Sequence, residues 1–159
     1  MTFQKDNTPG VIFPPLLPAA ILGVAIVLDF VLPLRFLPGF LSLDWQIAAS
    51  VAVLVIGFII AGSALFVFWR ARTHVLPFRP TLALVTTGPY RFSRNPMYLA
   101  FLFDTGGTSL FFSLEWGLIL LPVLWLLLDR LVIAKEEAFL IRKFGADYAA
   151  LLSRTRRWI

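Results

Sequence analysis

From Ile47 to Trp69 the chain carries no charged residue. A run of about 20 apolar residues matches the roughly 30 Å hydrocarbon thickness of a bilayer. This stretch therefore predicts a membrane-crossing helix, and the rest of the chain must accommodate it. A second apolar run, Leu118 to Leu128, is also free of charge. Apolar residues make up 59% of the chain and charged residues 14%, against about 45–50% and about 25% in soluble domains. The expected fold is an all-α membrane protein with about four transmembrane helices.

Four spans are predicted, over 13–34, 45–69, 97–112 and 116–133. All belong to one domain covering residues 1–159. The N-terminal run has no small-residue cleavage pattern and reads as a retained span. Pro33, Pro38 and Gly39 mark an external turn, and Glu115 marks another. Gly57 and Gly62 would let a neighbour approach the second span closely. Between the second and third spans lies a long loop, 70–96, with Pro77, Pro80, Gly88 and Pro89 breaking any regular helix. Asn95 is a favoured N-cap, and Pro96 suits the first position of the helix that follows. Residues 134–152 have the three-and-four spacing of an amphipathic interfacial helix, with Gly145 as a bend.

Orientation follows from charge. Of the 14 Lys and Arg, five lie in 70–94 and seven in 130–157. Two spans separate these segments, so they share a side, and the positive-inside rule makes that side cytoplasmic. Both termini are then cytoplasmic, and the expected location is a prokaryotic plasma membrane, multi-pass. The net charge of +5 is explained by this bias, and no nucleic-acid-binding motif accompanies it. The chain has no Cys and one His, His74, which excludes disulfides, cysteine nucleophiles and a histidine metal cluster.

Two segments facing the same compartment hold the reactive side chains. One is Thr87-Gly88-Pro89-Tyr90-Arg91-Phe92-Ser93-Arg94-Asn95-Pro96-Met97-Tyr98. The other holds Glu136 and Glu137, followed by Phe144-Gly145 and Tyr148. Neighbouring residues on a helix point about 100° apart, so the two glutamates cannot share one role. Taken singly, each residue has a plain reading: snorkelling arginines, interfacial tyrosines, a helix cap, a solvated first turn. Asp104 is an intramembrane carboxylate, either a substrate contact or a hydrogen-bonded helix contact near Gly106 and Thr108.

The order of these residues resembles the membrane methyltransferase family of isoprenylcysteine carboxyl methyltransferases and phospholipid N-methyltransferases. The resemblance rests on Gly88 to Arg91, Arg94 to Tyr98, Glu136 to Tyr148, and Arg157-Trp158, and covers residues 70–159. It implies S-adenosylmethionine as cofactor and methyl transfer to a carboxylate, amine or thiol on an apolar or lipid-like substrate in the bilayer. It implies Arg94 and Glu137 as catalytic residues. Cofactor binding would fall to Thr87, Gly88, Pro89, Tyr90, Arg91, Asn95, Tyr98, Glu136 and Glu137. No metal is implied. Ala100 stands where the family often has Gly, and Asn95 where the prenylcysteine enzymes carry His. Two other readings remain: a binding or assembly protein that keeps the fold without turnover, and a small transporter subunit.

Overall fold

The computed structural model describes residues 12–72 and 84–159. His74, Pro77, Arg79 and Pro80 of the long loop lie outside the described residues. The described residues are mostly helical and form no strand. α1 spans Leu16–Val31, α2 Leu37–Phe40, α3 Leu43–Arg70, α4 Pro96–Phe111, α5 Glu115–Ile119, α6 Leu121–Leu127, α7 Ala134–Phe144 and α8 Ala146–Arg154. A 3₁₀ turn covers Gly88–Arg91, and a π turn over Leu128–Ile133 joins α6 to α7.

Each expected span overlaps helix, but among the described residues only α3 is long and apolar enough by itself to cross a membrane. Its 28 residues extend about 42 Å at 1.5 Å per residue. Its apolar surface lies open: Phe58 is 65% exposed, Ile59 64% and Trp69 76%. α1 and α4 have 16 residues each. The fourth expected span is broken between α5 and α6, because Pro122 sits in the first turn of α6 and cannot continue a helix from before it.

α3 buries a narrow seam of Gln46, Ser50, Gly57 and Ala64, spaced by four and seven residues. α4 answers with Ala100, Thr105, Gly106, Gly107 and Ser109. Small residues on both sides let the backbones approach, the usual device where lipid removes any hydrophobic drive to pair helices. A Cβ at Gly57 would collide with Asp104 Oδ1, and one at Gly107 would lie 3.1 Å from the Leu54 backbone nitrogen. Gly62, by contrast, faces open space. Gly107→Val is therefore expected to lower the unfolding free energy by about 1–3 kcal/mol through overpacking. Gly62→Ala should leave it unchanged, as thermal unfolding in detergent would show.

The end of the bundle away from the loop is tied by polar contacts. Gln46 Nε2 donates to the Leu110 carbonyl at 2.7 Å and to Ser113 Oγ at 2.8 Å. The Leu37 N–H donates to buried Glu115 at 2.7 Å. At the other end, Leu17 and Ile21 of α1 pack with Tyr98, Leu124, Leu128, Val132 and Ile133. This core holds the start of α4 against the π turn.

Candidate active site

Gly88 takes a φ of +60°, open to glycine at little cost. A Cβ there would meet Val67 Cγ2 at 2.8 Å. The turn thus lies directly on α3, and Tyr90 meets Phe68 edge-on at 5.3 Å between ring centroids. Tyr90 is buried. Burial, with Glu136 nearby, pushes its phenol well above the usual range. Thr87, Gly88 and Arg91 lie exposed at the rim, and no bond joins them to the carboxylates among the described residues.

Asn95 occupies the cap position of α4, but its side chain does not cap the helix. It donates instead to the Arg157 carbonyl at 2.9 Å. Ser93 Oγ reaches the same carbonyl at 3.4 Å, and the Arg94 N–H donates to the Arg156 carbonyl at 2.9 Å. The loop and the C-terminal tail are in this way laced together, 62 residues apart for the Asn95 bond. The expected cap is overridden because a buried tail carbonyl needs a donor.

The two glutamates diverge, as adjacent helical residues must. Glu136 accepts from the Tyr98 hydroxyl at 2.8 Å. Burial pushes its pKa up to about 7, with the Tyr98 bond pulling the other way. Glu137 is buried and paired by two cations: Arg94 Nε at 3.2 Å and Arg157 Nη2 in a closer contact. Arg94 also donates through Nη1 to the carbonyls of Leu152 and Thr155. Its bond to Glu137 holds the Arg157 guanidinium above the usual range. Tyr148, buried against the same group, is pushed up to about 12, chiefly by burial and then by Glu137.

Arg94, Asn95, Tyr98, Glu136 and Glu137 therefore converge, with Tyr90 beside them. Asp104 stands apart. It lies eight residues past Pro96, about 12 Å further along α4, with Oδ1 against Gly57 and no hydrogen-bond partner. Two contributors have no place in the sequence-based site. Asp129, in the π turn and only 7% exposed, accepts from Arg157 Nη1 at 3.2 Å and from Trp158 Nε1 at 3.1 Å. Arg157 bridges it to Glu137. A lone Asp at a helix end reads as a boundary residue, and the Arg157-Trp158 pair was its one available signal.

The donor set fits a zwitterionic sulfonium such as S-adenosylmethionine. Glu137 is already neutralised by two arginines, whereas Glu136 meets a neutral hydroxyl, which leaves it the carboxylate suited to an ammonium.

Protein-S-isoprenylcysteine O-methyltransferase B of Arabidopsis thaliana is 27% identical to this chain over 130 residues, 80% of the chain and 66% of that protein. Its paralogue, Protein-S-isoprenylcysteine O-methyltransferase A, is 27% identical over 124 residues, 77% of the chain and 63% of that protein. The chain thus spans just under two thirds of the length of these relatives. No solved structure matches. Residues 45–147 match the phospholipid methyltransferase family, a segment that takes in α3, the Arg94–Tyr98 stretch and both glutamates, and the chain belongs to that family.

Proposed function

We propose that this protein transfers a methyl group from S-adenosylmethionine to an apolar or lipid-like acceptor at the cytoplasmic face of a membrane. The observation that carries the reading is the division of labour between the glutamates: Glu136 near a neutral donor, Glu137 locked between Arg94 and Arg157. Glu136 would hold the cofactor's ammonium. Arg94, at the membrane boundary of α4, would hold an acceptor carboxylate or phosphate through Nη2, with Nε and Nη1 fixed by the protein. The bound sulfonium supplies a methyl group with a good leaving group, so the protein's task is orientation and charge placement. Family membership and the names of the plant relatives support the same reaction class.

Cofactor binding should depend on pH with a defined sign. The ammonium needs ionised Glu136, whose pKa lies at about 7. Below that value the carboxyl must first lose its proton, so affinity falls by up to about tenfold per pH unit and binding releases a proton. Above about 8 the cofactor's own α-amino group discharges. Calorimetry of S-adenosylmethionine in buffers of differing ionisation enthalpy should find the tightest binding between about 7 and 8. Flat affinity from pH 5.5 to 8 would remove Glu136 from the site. Methyl-labelled cofactor given to the purified protein with membrane lipid and prenylated cysteine then reports turnover, and no labelled product from either acceptor counts against the activity.

The same reading places four spans in the bilayer, formed by α1, α3, α4 and the α5–α6 pair, with α7 and α8 at the cytoplasmic surface. The absence of native Cys makes this directly testable. A Cys at exposed Ser42 should react with an impermeant reagent from outside intact cells, and a Cys at exposed Ser153 should not. External labelling of Ser153→Cys would reverse the assignment.

A further inference from the structure

Asp129 lies in the one stretch where the last long helix widens into a π turn. Its place there has a geometric consequence. Asp129 and Glu137 are eight residues apart, which in a regular α-helix leaves them about 80° out of line. In a π turn each residue advances through a smaller angle, and such turns recur at functional sites. The widening takes up the mismatch, and a single guanidinium, that of Arg157, bonds both carboxylates. Arg157 Nη1 reaches both Asp129 oxygens, Trp158 adds a third hydrogen bond to that carboxylate, and its ring lies tilted near Trp125, with 6.1 Å between ring centroids.

From this we infer that Asp129 is the positioning residue of the site. It anchors the tail through Arg157 and Trp158, and so holds the Arg157 guanidinium against Glu137, the carboxylate that in turn fixes Arg94. Asp129 touches neither substrate nor cofactor in this arrangement. The role rests on the methyltransferase reading, because what Asp129 positions is the proposed acceptor-binding Arg94. It leaves the ammonium site on Glu136 alone, since Glu136 bonds Tyr98 and takes no part in the Arg157 contacts.

That separation gives the test. Asp129→Asn keeps the shape and an oxygen for Trp158 but removes the charge that holds Arg157. Turnover is expected to fall about tenfold to 100-fold, as for a misplaced reacting group, while the calorimetric Kd for S-adenosylmethionine and its pH dependence stay within about threefold of the unsubstituted protein. Tryptic cleavage after Arg156 and Arg157 should quicken as the tail opens, and Asp129→Glu should restore part of both properties. A merely structural role would weaken cofactor binding and turnover together, and that result overturns the inference. Unchanged turnover with unchanged cleavage also overturns it. Should Asp129→Asn fail to fold, Trp158→Phe removes one of the three tail hydrogen bonds to Asp129 and keeps an aromatic ring; unaltered turnover and cleavage there have the same meaning. If the unsubstituted protein neither binds the cofactor nor transfers methyl groups, the functional reading fails, and tail cleavage alone decides whether Asp129 is the anchor.

Discussion

Arg94→Lys is expected to insert and fold with normal yield yet lose about 100-fold in methyl-transfer turnover. Arg94 sits at 12% side-chain exposure and divides its donors between one carboxylate and two carbonyls, those of Leu152 and Thr155. Nε serves the carboxylate and Nη1 both carbonyls, so the guanidinium meets all three acceptors with a rigid fork. A lysine ammonium is one point charge on a flexible stem and can serve one of them well. The positive charge survives, so topology is preserved, but the group facing the acceptor shifts by an ångström or more, which costs about 100-fold. Arg154→Lys, at an exposed site in α8, is the matched control and should be nearly silent. If Arg94 merely reached for lipid phosphates, Lys would do as well, and full activity of Arg94→Lys would assign it that role.

Glu137→Gln should be the most destabilising single change at the site. It leaves Arg94 and Arg157 facing each other without the carboxylate between them. Removing one partner of a buried pair costs about 3–5 kcal/mol; the lower end applies because the Arg157 side chain is 38% exposed and partly screened. Activity should be abolished and the melting temperature should drop. Glu136→Gln should behave differently. The folded state holds the Glu136 proton more tightly than the unfolded chain, at about 7 against 4.5. Its contribution to stability is therefore complete below about 4.5 and is lost as pH rises through about 7. A neutral amide escapes that loss, so Glu136→Gln should melt no lower than the unsubstituted protein at pH 8 while binding S-adenosylmethionine about 10- to 150-fold more weakly. Asp147→Asn, exposed on α8, should change neither property. Equal behaviour of the two Gln variants would refute the division of labour between the glutamates.

Much of this was legible in the residues, and the failures have physical causes. The uncharged run 47–69 fixed α3, because length and apolarity need no tertiary context. Gly145, with φ of +50°, ends α7 where the bend was expected. The Arg94–Tyr98 stretch and the glutamate pair were visible as motifs, and the 100° step between Glu136 and Glu137 correctly implied separate partners. The expected span 116–133 is divided near Pro122, where α5 gives way to α6, because a proline inside an apolar run breaks the helix without changing its apolar composition. The cap role of Asn95 follows local preference, and it gave way to a tail carbonyl that no local window contains. Asp129 was missed for a related reason. A π turn has no composition of its own, and the partners that give Asp129 meaning lie 28 and 29 residues away.

The lacing of Ser93, Arg94 and Asn95 to Arg156 and Arg157 also sets a timetable. A ribosome delivers α1 to α7 before any residue of that tail. Asp129 and Glu137 are made before the Arg157 guanidinium that bonds them both. Only when Arg157 and Trp158 leave the exit tunnel can the charges close around one another. A nascent chain halted at Ser153 would carry α1 to α7 and none of the contacts that Arg156, Arg157 and Trp158 make with the loop and the carboxylates.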